Sequence, residues 1–332
     1  MAVLGAGSWG TTIASIAAGR APTVLWARRP ALAETIASTG RNPDYLGGPP
    51  LPAALGATAS MEDALDGAHV VFMAVPSHGF RAVLAAAAGH LAPGAIVISL
   101  AKGLERGSLL RMTEVVQELA PGRPAGVLTG PNLAVEIMAG RPAATVVAVG
   151  DQAAAARVQD LLTIPTFRVY TNPDVVGCEL AGALKNVMAI ACGMADGLDL
   201  GDNTRAALIT RGLAELTRLG TALGGEATTF SGLAGIGDLV VTCMSPRSRN
   251  RFVGEELGRG RSLDDIVTGM TMVAEGVRTA AVVMALAGRA GVEMPITEQV
   301  TAVLDGDQPA AACVRSLMER EARPERDALR TA

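Results

Sequence analysis

Short apolar runs alternate with Ala-rich, helix-length stretches through the first half of the chain, and after about residue 175 only helix-period patterning remains. The runs at 1–4, 23–27, 69–75, 95–101, 125–129, 143–149 and 167–170 are rich in Val, Ile, Leu and Phe and bounded by Gly, Pro, Ser or Asn. That pattern predicts strands buried on both faces, and 56–60 reads as a weaker one. Strands alternating with helices imply a mostly parallel sheet whose ligands lie off the carboxyl ends of its strands. After Asn172-Pro173 the periodicity predicts helices at 179–192, 203–223, 252–257, 262–267 and 276–287, then a final amphipathic piece. The expected architecture is an α/β Rossmann-type domain over 1–175 followed by an all-α domain over 176–332, with the boundary near 172–178. The Glu/Arg-rich segment after Met318 reads as a solvated face.

One of these helices is out of character. The stretch 179–192 is apolar on nearly every face, which predicts burial all round, yet it carries Lys185 in its middle. An unpaired buried ammonium is costly. Of the 28 Lys+Arg residues, only Lys102 and Lys185 are lysine, which leaves 26 arginines. Arginine serves almost everywhere a positive charge is needed. Lysine is retained where a compact amine with a burial-sensitive pKa does what guanidinium cannot. The alternative for a lone lysine is a snorkelling side chain, or chance survival of two lysines in an arginine-rich composition. Position separates these readings: Lys102 directly follows the strand at 95–101, at a carboxyl end, so both lysines become candidates for one site.

Gly5, Gly7 and Gly10 form G-x-G-x-x-G between the first strand and first helix. There the first glycine permits a tight turn, the second lets a pyrophosphate approach the backbone, and the third lets helix pack on strand. The second strand ends in Arg28-Arg29, where a carboxylate would suit the 2′-hydroxyl of NAD; two arginines suit a 2′-phosphate, or else belong to a solvated loop. Gly130-Pro131-Asn132 leads from a strand into a helix start. The glycine-rich run 232–237 would let backbone approach a ligand, and Asp238 after it would pair with an amine. Ser248-Arg249-Asn250 before a helix would hold an anion, whereas Arg247, Arg249 and Arg251 taken alone read as a solvated basic turn. His78, at a strand end without a carboxylate nearby in sequence, reads as cofactor-adjacent or structural.

Composition removes several classes. A net charge of −4 with 3% aromatic residues argues against nucleic-acid recognition. Cys178, Cys192, Cys243 and Cys313 are scattered and unclustered with the three histidines, so they read as buried thiols in a reducing compartment and no metal site is expected. With no basic-apolar leader and no uncharged apolar run of membrane length, the reading is a cytoplasmic protein without membrane insertion.

Taken together, these segments closely resemble bacterial NAD(P)-dependent glycerol-3-phosphate dehydrogenase from Gly5 to about Ile296. The motifs that carry the likeness are GAGSWGT at 5–11, VPSH at 75–78, AKGLE at 101–105, GPNLAVE at 130–136 and GALKNVMAIACGMADGL at 182–198. They continue with RAALITRGLAE at 205–215, GLAGIGDLVVTC at 232–243, SRNR at 248–251, EGVRT at 275–279 and GVEMPIT at 291–297. The resemblance implies a helical domain like that of 6-phosphogluconate dehydrogenase, NADP(H) and also NAD(H) as cofactors, and a homodimer. It implies reduction of dihydroxyacetone phosphate to sn-glycerol 3-phosphate for phospholipid synthesis. Lys185 would then match the proton-transferring residue, beside Asn186, Asp238 and Thr242; Lys102, Gly130 and Asn132 would meet substrate, and Ser248, Arg249 and Asn250 its phosphate. Gly5, Gly7, Ser8, Trp9, Gly10, Arg28, Arg29, Tyr45, Lys102, Ala134, Arg249, Val273 and Glu275 would contact cofactor. Asn132 stands where the family more often has Ser or Thr, and one residue is missing between the first helix and second strand. The rival readings are a hydroxy-acid dehydrogenase of the same plan and a nucleotide sensor without catalysis.

Overall fold

The computed structural model describes residues 1–47, 50–270, 273–321 and 324–325. The solvated face expected after Met318 falls largely on 322–323 and 326–332, outside the described residues. Among the described residues eight strands make one sheet: β1 (Ala2–Leu4), β2 (Thr23–Trp26), β3 (Leu55–Thr58), β4 (Val70–Met73), β5 (Ile96–Ser99), β6 (Ala125–Thr129), β7 (Ala143–Val149) and β8 (Phe167–Asn172). Their order is β3-β2-β1-β4-β5-β6-β7-β8, with every neighbouring pair parallel except β6 and β7. The alternating strands and helices dictate this: a parallel neighbour requires a crossover, and each crossover here is a helix-bearing segment. The β4 and β5 strands are buried at every position, as a parallel sheet covered on both faces demands. Val3, Ile13, Leu25, Phe72, Ile98, Val147 and Phe167 belong to its core.

The chain runs from β1 through β2 and β3 to one side, then returns to place β4 on β1's other flank. The order therefore reverses between β1 and β4, and loops leaving the carboxyl ends of these two strands bound a crevice. Both contain the expected motifs: the glycine turn follows β1 and Val75-Pro76 follows β4.

Residues 1–101 and 111–175 form one compact unit, and residues 102–110 join 176–332 in a second. The short excursion 102–110 was not visible as a break in the sequence. Lys102 thus belongs to the helical unit, although it directly follows a strand segment of the first. The polar groups that hold it there are described below.

The helical unit is organised on the helix Val175–Gly197, in which every residue from Gly177 to Ala195 is buried. Its apolar length is sufficient for a membrane span, and 89% of the qualifying window is covered by the protein itself. Small side chains bring its neighbours close. A Cβ on Gly193 would lie 2.0 Å from the Arg251 carbonyl oxygen, and one on Gly254 would lie 2.0 Å from that of Ile190. The helix Arg249–Gly258 therefore packs backbone to backbone against the Lys185 helix. The glycine-rich run differs from the loop implied by its composition. Leu233–Gly237 is a single π-helical turn continuing into the helix Asp238–Met244, an arrangement that aims Asp238 inward.

Candidate active site

In the sheet unit, Gly5 adopts φ +122°, and a Cβ there would meet the Ala74 carbonyl oxygen at 2.5 Å. Only glycine fits where the loops after β1 and β4 touch. A Cβ on Gly10 would lie 2.0 Å from the Gly5 carbonyl oxygen, so this position closes the turn onto the helix Ser8–Ala18. Gly7 is the opposite case: a Cβ would meet nothing within 4 Å. It caps the helix with no side chain on the terminal amides, which suits the approach of an anionic group. Trp9 contributes an indole N–H that is buried without a hydrogen-bond partner. These features fit the pyrophosphate portion of a dinucleotide.

Tyr45 is remote in sequence yet is brought to this turn, because Ser8 Oγ donates to its carbonyl oxygen at 3.0 Å. Asn42 pins the same connection through Nδ2, which donates to Ala6 O at 2.9 Å and Thr11 Oγ1 at 2.8 Å. Arg29 is ion-paired with Asp44 and lies over the Tyr45 ring at 5.9 Å. Arg28 is exposed and makes no ion pair among the described residues. Gly130 adopts φ +132° after β6. Both polar atoms of the nearby Asn132 amide are buried without a partner, a strong cue for a polar ligand. Ala134 opens the helix Ala134–Met138.

The helical unit holds the titratable cluster. Lys185 Nζ donates to Asp238 Oδ1 at 2.7 Å and to Thr242 Oγ1 at 2.5 Å, while Lys102 Nζ donates to Asp238 Oδ2 at 2.7 Å. Thr242 in turn donates to the Asp238 carbonyl oxygen at 2.6 Å. Asp238 is 1% exposed and Lys185 4% exposed, so one buried carboxylate divides its two oxygens between the protein's only two lysines. Burial lowers the Lys185 pKa to about 8; Asp238 opposes the drop and the Lys102 cation adds to it.

Behind the lysines runs a chain of amides. Asn186 Nδ2 donates to Lys102 O at 2.8 Å, Asn250 Nδ2 donates to Asn186 Oδ1 at 2.9 Å, and Gly276 N–H donates to Asn250 Oδ1 at 2.9 Å. Ser248 caps the helix Arg249–Gly258 by accepting from Arg251 N. Arg251 is committed to Asp196 and Glu255, which removes it from the basic turn. Arg249 retains an exposed surface, yet desolvation by packed neighbours lowers its pKa, with Glu275 opposing. Glu275 opens the helix Glu275–Ala290, and Val273 is exposed two residues before it.

Sequence profiles for the N-terminal and C-terminal parts of NAD-dependent glycerol-3-phosphate dehydrogenase match residues 1–155 and 174–315. The chain belongs to this family. It is 55% identical to a glycerol-3-phosphate dehydrogenase [NAD(P)+] of Sphingopyxis alaskensis, over 96% of this chain and 95% of that one. It is 51% identical to one of Mycobacterium avium, over 95% and 93% of the two chains. Among solved structures it is similar to glycerol-3-phosphate dehydrogenase from Coxiella burnetii, at 38% identity and a TM-score of 0.92, covering 96% of this chain and 98% of that one. All the candidate residues lie within the spans matched by the glycerol-3-phosphate dehydrogenase profiles.

Asn42, Asp44 and Gly276 were not singled out from the sequence. Asn42 and Asp44 lie in a stretch with no period, and their partners are 15 to 36 residues away. Gly276 looks like an ordinary helix-start glycine in the glycerol-3-phosphate dehydrogenase motif EGVRT. A Cβ there would lie 2.7 Å from Asn186 O, which only the fold reveals.

Proposed function

We propose that this protein catalyses the reversible, NAD(P)H-dependent reduction of dihydroxyacetone phosphate to sn-glycerol 3-phosphate. The observation that carries the reading is Lys185, a buried amine held by Asp238 and Thr242 with its pKa brought down to about 8. An amine that titrates near the working pH serves as acid in one direction and base in the other.

When bound, the reduced nicotinamide supplies a hydride to the carbonyl carbon. Lys185 spends two of its N–H bonds on Asp238 and Thr242, leaving one for a substrate oxygen. Below its pKa it polarises that oxygen and then delivers the proton that completes the alcohol. Above its pKa the neutral amine accepts the alcohol proton in the oxidative direction. Asp238 fixes the Lys185 rotamer and balances its charge. Lys102 adds a second positive charge beside the developing alkoxide, and Asn132 offers its unspent amide to a substrate hydroxyl. Arg249, with the Ser248-capped helix start, anchors the phosphate. Remote binding energy at that anchor orients the reacting carbon.

The glycine turn with Ser8, Trp9 and Tyr45 would hold the dinucleotide, and Ala134, Val273 and Glu275 would extend its contacts. Arg28 reads the 2′-phosphate of NADP(H), because Arg29 is already paired with Asp44. NAD(H) remains a substrate through the shared pyrophosphate contacts. On this reading the protein works as a cytoplasmic homodimer supplying the glycerophosphate backbone of phospholipids. NADPH oxidation followed at 340 nm, with and without dihydroxyacetone phosphate, tests it. Substrate-dependent oxidation is expected; oxidation with a hydroxy-acid precursor instead would replace the reading.

A further inference from the structure

The helix Arg249–Gly258 crosses the helix Val175–Gly197 on glycine contacts. A Cβ on Gly197 would lie 2.2 Å from the Glu255 carbonyl oxygen, and one on Gly258 would lie 2.5 Å from that of Met194, in line with the contacts at Gly193 and Gly254. Such a crossing sets how closely the helices approach, but it lacks the interlocking side chains that fix where one rests along the other. Arg251 supplies that fixing. Its Nε donates to Ser245 O at 3.2 Å, its Nη1 to Asp196 Oδ2, and its Nη2 pairs with Glu255 Oε2 at 3.0 Å. Its backbone N–H donates to Ser248 Oγ at 3.2 Å. Asp196 lies on the Val175–Gly197 helix, and its other oxygen accepts from Arg205 Nε at 2.9 Å and from Arg205 Nη2. The Asp196 side chain is 10% exposed and that of Arg251 15%, so these charge-assisted bonds are screened less than a surface pair.

We infer that Asp196 and Arg251 are positioning residues for the substrate phosphate, holding the turn 245–250 at a fixed place relative to Lys185. This role presupposes the reaction proposed above, with Arg249 as the phosphate anchor. Arg251 grips the turn at two points, the Ser245 carbonyl that opens it and the Ser248 side chain that caps the following helix. Asp196 ties that grip to the helix that carries Lys185, and Arg205 ties it to the helix Gly201–Ala222. The span from anchor to Lys185, which the substrate must bridge, is thereby set through one carboxylate. The competing role is adhesion between helices, in which the network stabilises the fold and does nothing more.

The two roles separate on a substrate without phosphate. Wild type, Asp196→Asn, Arg251→Met and the double variant are assayed with dihydroxyacetone phosphate and with dihydroxyacetone. A wild type with no turnover of the phosphorylated substrate would remove the proposed function itself, and the positioning role with it. Given that turnover, a positioning role predicts that Arg251→Met lowers kcat/KM on dihydroxyacetone phosphate roughly 10- to 100-fold, the cost of misplacing an anchor by up to about 1 Å. KM should rise and kcat fall together, because remote binding energy orients the reacting carbon. On dihydroxyacetone, which makes no use of the anchor, the loss should stay within about threefold. Asp196→Asn should act in the same direction, and the double variant should be no worse than the Arg251 single by more than about threefold, because both lesions break one hold. The ratio between substrates does not depend on how much enzyme is folded. If Arg251→Met gives no soluble protein, Arg251→Lys replaces it, keeping a charge for Asp196 but lacking the fork that reaches Ser245 and Glu255. Equal losses on both substrates, or no loss on either, would assign the network to helix adhesion and overturn the positioning role, as would multiplicative effects in the double variant.

Discussion

Asp238→Asn is the substitution whose consequences follow most directly from the geometry. The side chain keeps its shape but loses the charge that two ammonium groups, the buried Lys185 and the part-buried Lys102, share at 2.7 Å each. Burial already lowers Lys185 to about 8 against the opposition of Asp238. Removing an opposite charge in direct contact should lower the titration midpoint by a further one to three pH units, roughly. At pH 7.5, a group with its midpoint at about 8 is roughly three-quarters protonated. The shift would cut that fraction, and with it the reductive kcat, about 3- to 200-fold. Activity should recover on the acid side as the limb moves down. NADPH binding should be unchanged, since the glycine turn lies in the sheet unit. The variant should also melt lower, because a buried charge pair is broken from one side only. The assay is NADPH oxidation at saturating dihydroxyacetone phosphate from pH 5.5 to 9.5, with fluorescence titration of NADPH as control. A kcat at pH 7.5 within twofold of wild type, or a fall with the limb in its original place, would refute the reasoning.

Three further outcomes follow from the same structure. Lys185→Arg and Lys185→Met should both bind NADPH and lose about 10²–10⁴-fold in kcat, since neither can transfer a proton near neutral pH; an arginine variant retaining a tenth of the activity would assign Lys185 to electrostatics alone. Arg28→Ser should weaken NADPH by about 1–3 kcal/mol with little effect on NADH, and Arg29→Ser should discriminate less, measured as the ratio of kcat/KM values. Glu215 is buried against the start of the helix Pro295–Leu304, accepting from Ile296 N and Thr297, and burial raises its pKa to about 7 although these donors oppose the rise. A carboxyl raised in the folded state stabilises most below its unfolded pKa and loses that contribution as pH rises through about 7, so wild type should lose roughly 2–3 kcal/mol relative to Glu215→Gln between pH 5 and 8 in denaturant titrations.

The sheet was legible because its strands are short apolar runs between turn residues, a period-independent signal that parallel burial produces. The Lys185 helix was legible for a different reason: lysine is so rare here that a buried one stands out. Three things were not legible. The turn Leu233–Gly237 carries glycines that look like loop punctuation, yet they admit close packing, a Cβ on Gly235 meeting Phe230 O at 2.0 Å. Residues 102–110 belong to the helical unit, to which Lys102 is tied by Asn186, 84 residues away, and Asp238, 136 residues away. The amide chain through Asn250 has no sequence signature, since asparagine at a helix start is equally suited to capping. For the last two the deciding partner is distant in the chain, and local pattern carries no information about it.

The central claim is that Lys185 is the proton-transferring group of a dihydroxyacetone phosphate reductase. It is tested most directly by measuring kcat in both directions across pH 6 to 10 on one wild-type preparation. Reduction should fall with rising pH and oxidation of sn-glycerol 3-phosphate should rise, the two crossing a common midpoint near the Lys185 value of about 8. Parallel profiles in the two directions, or no limb between about pH 7 and 9, would contradict it.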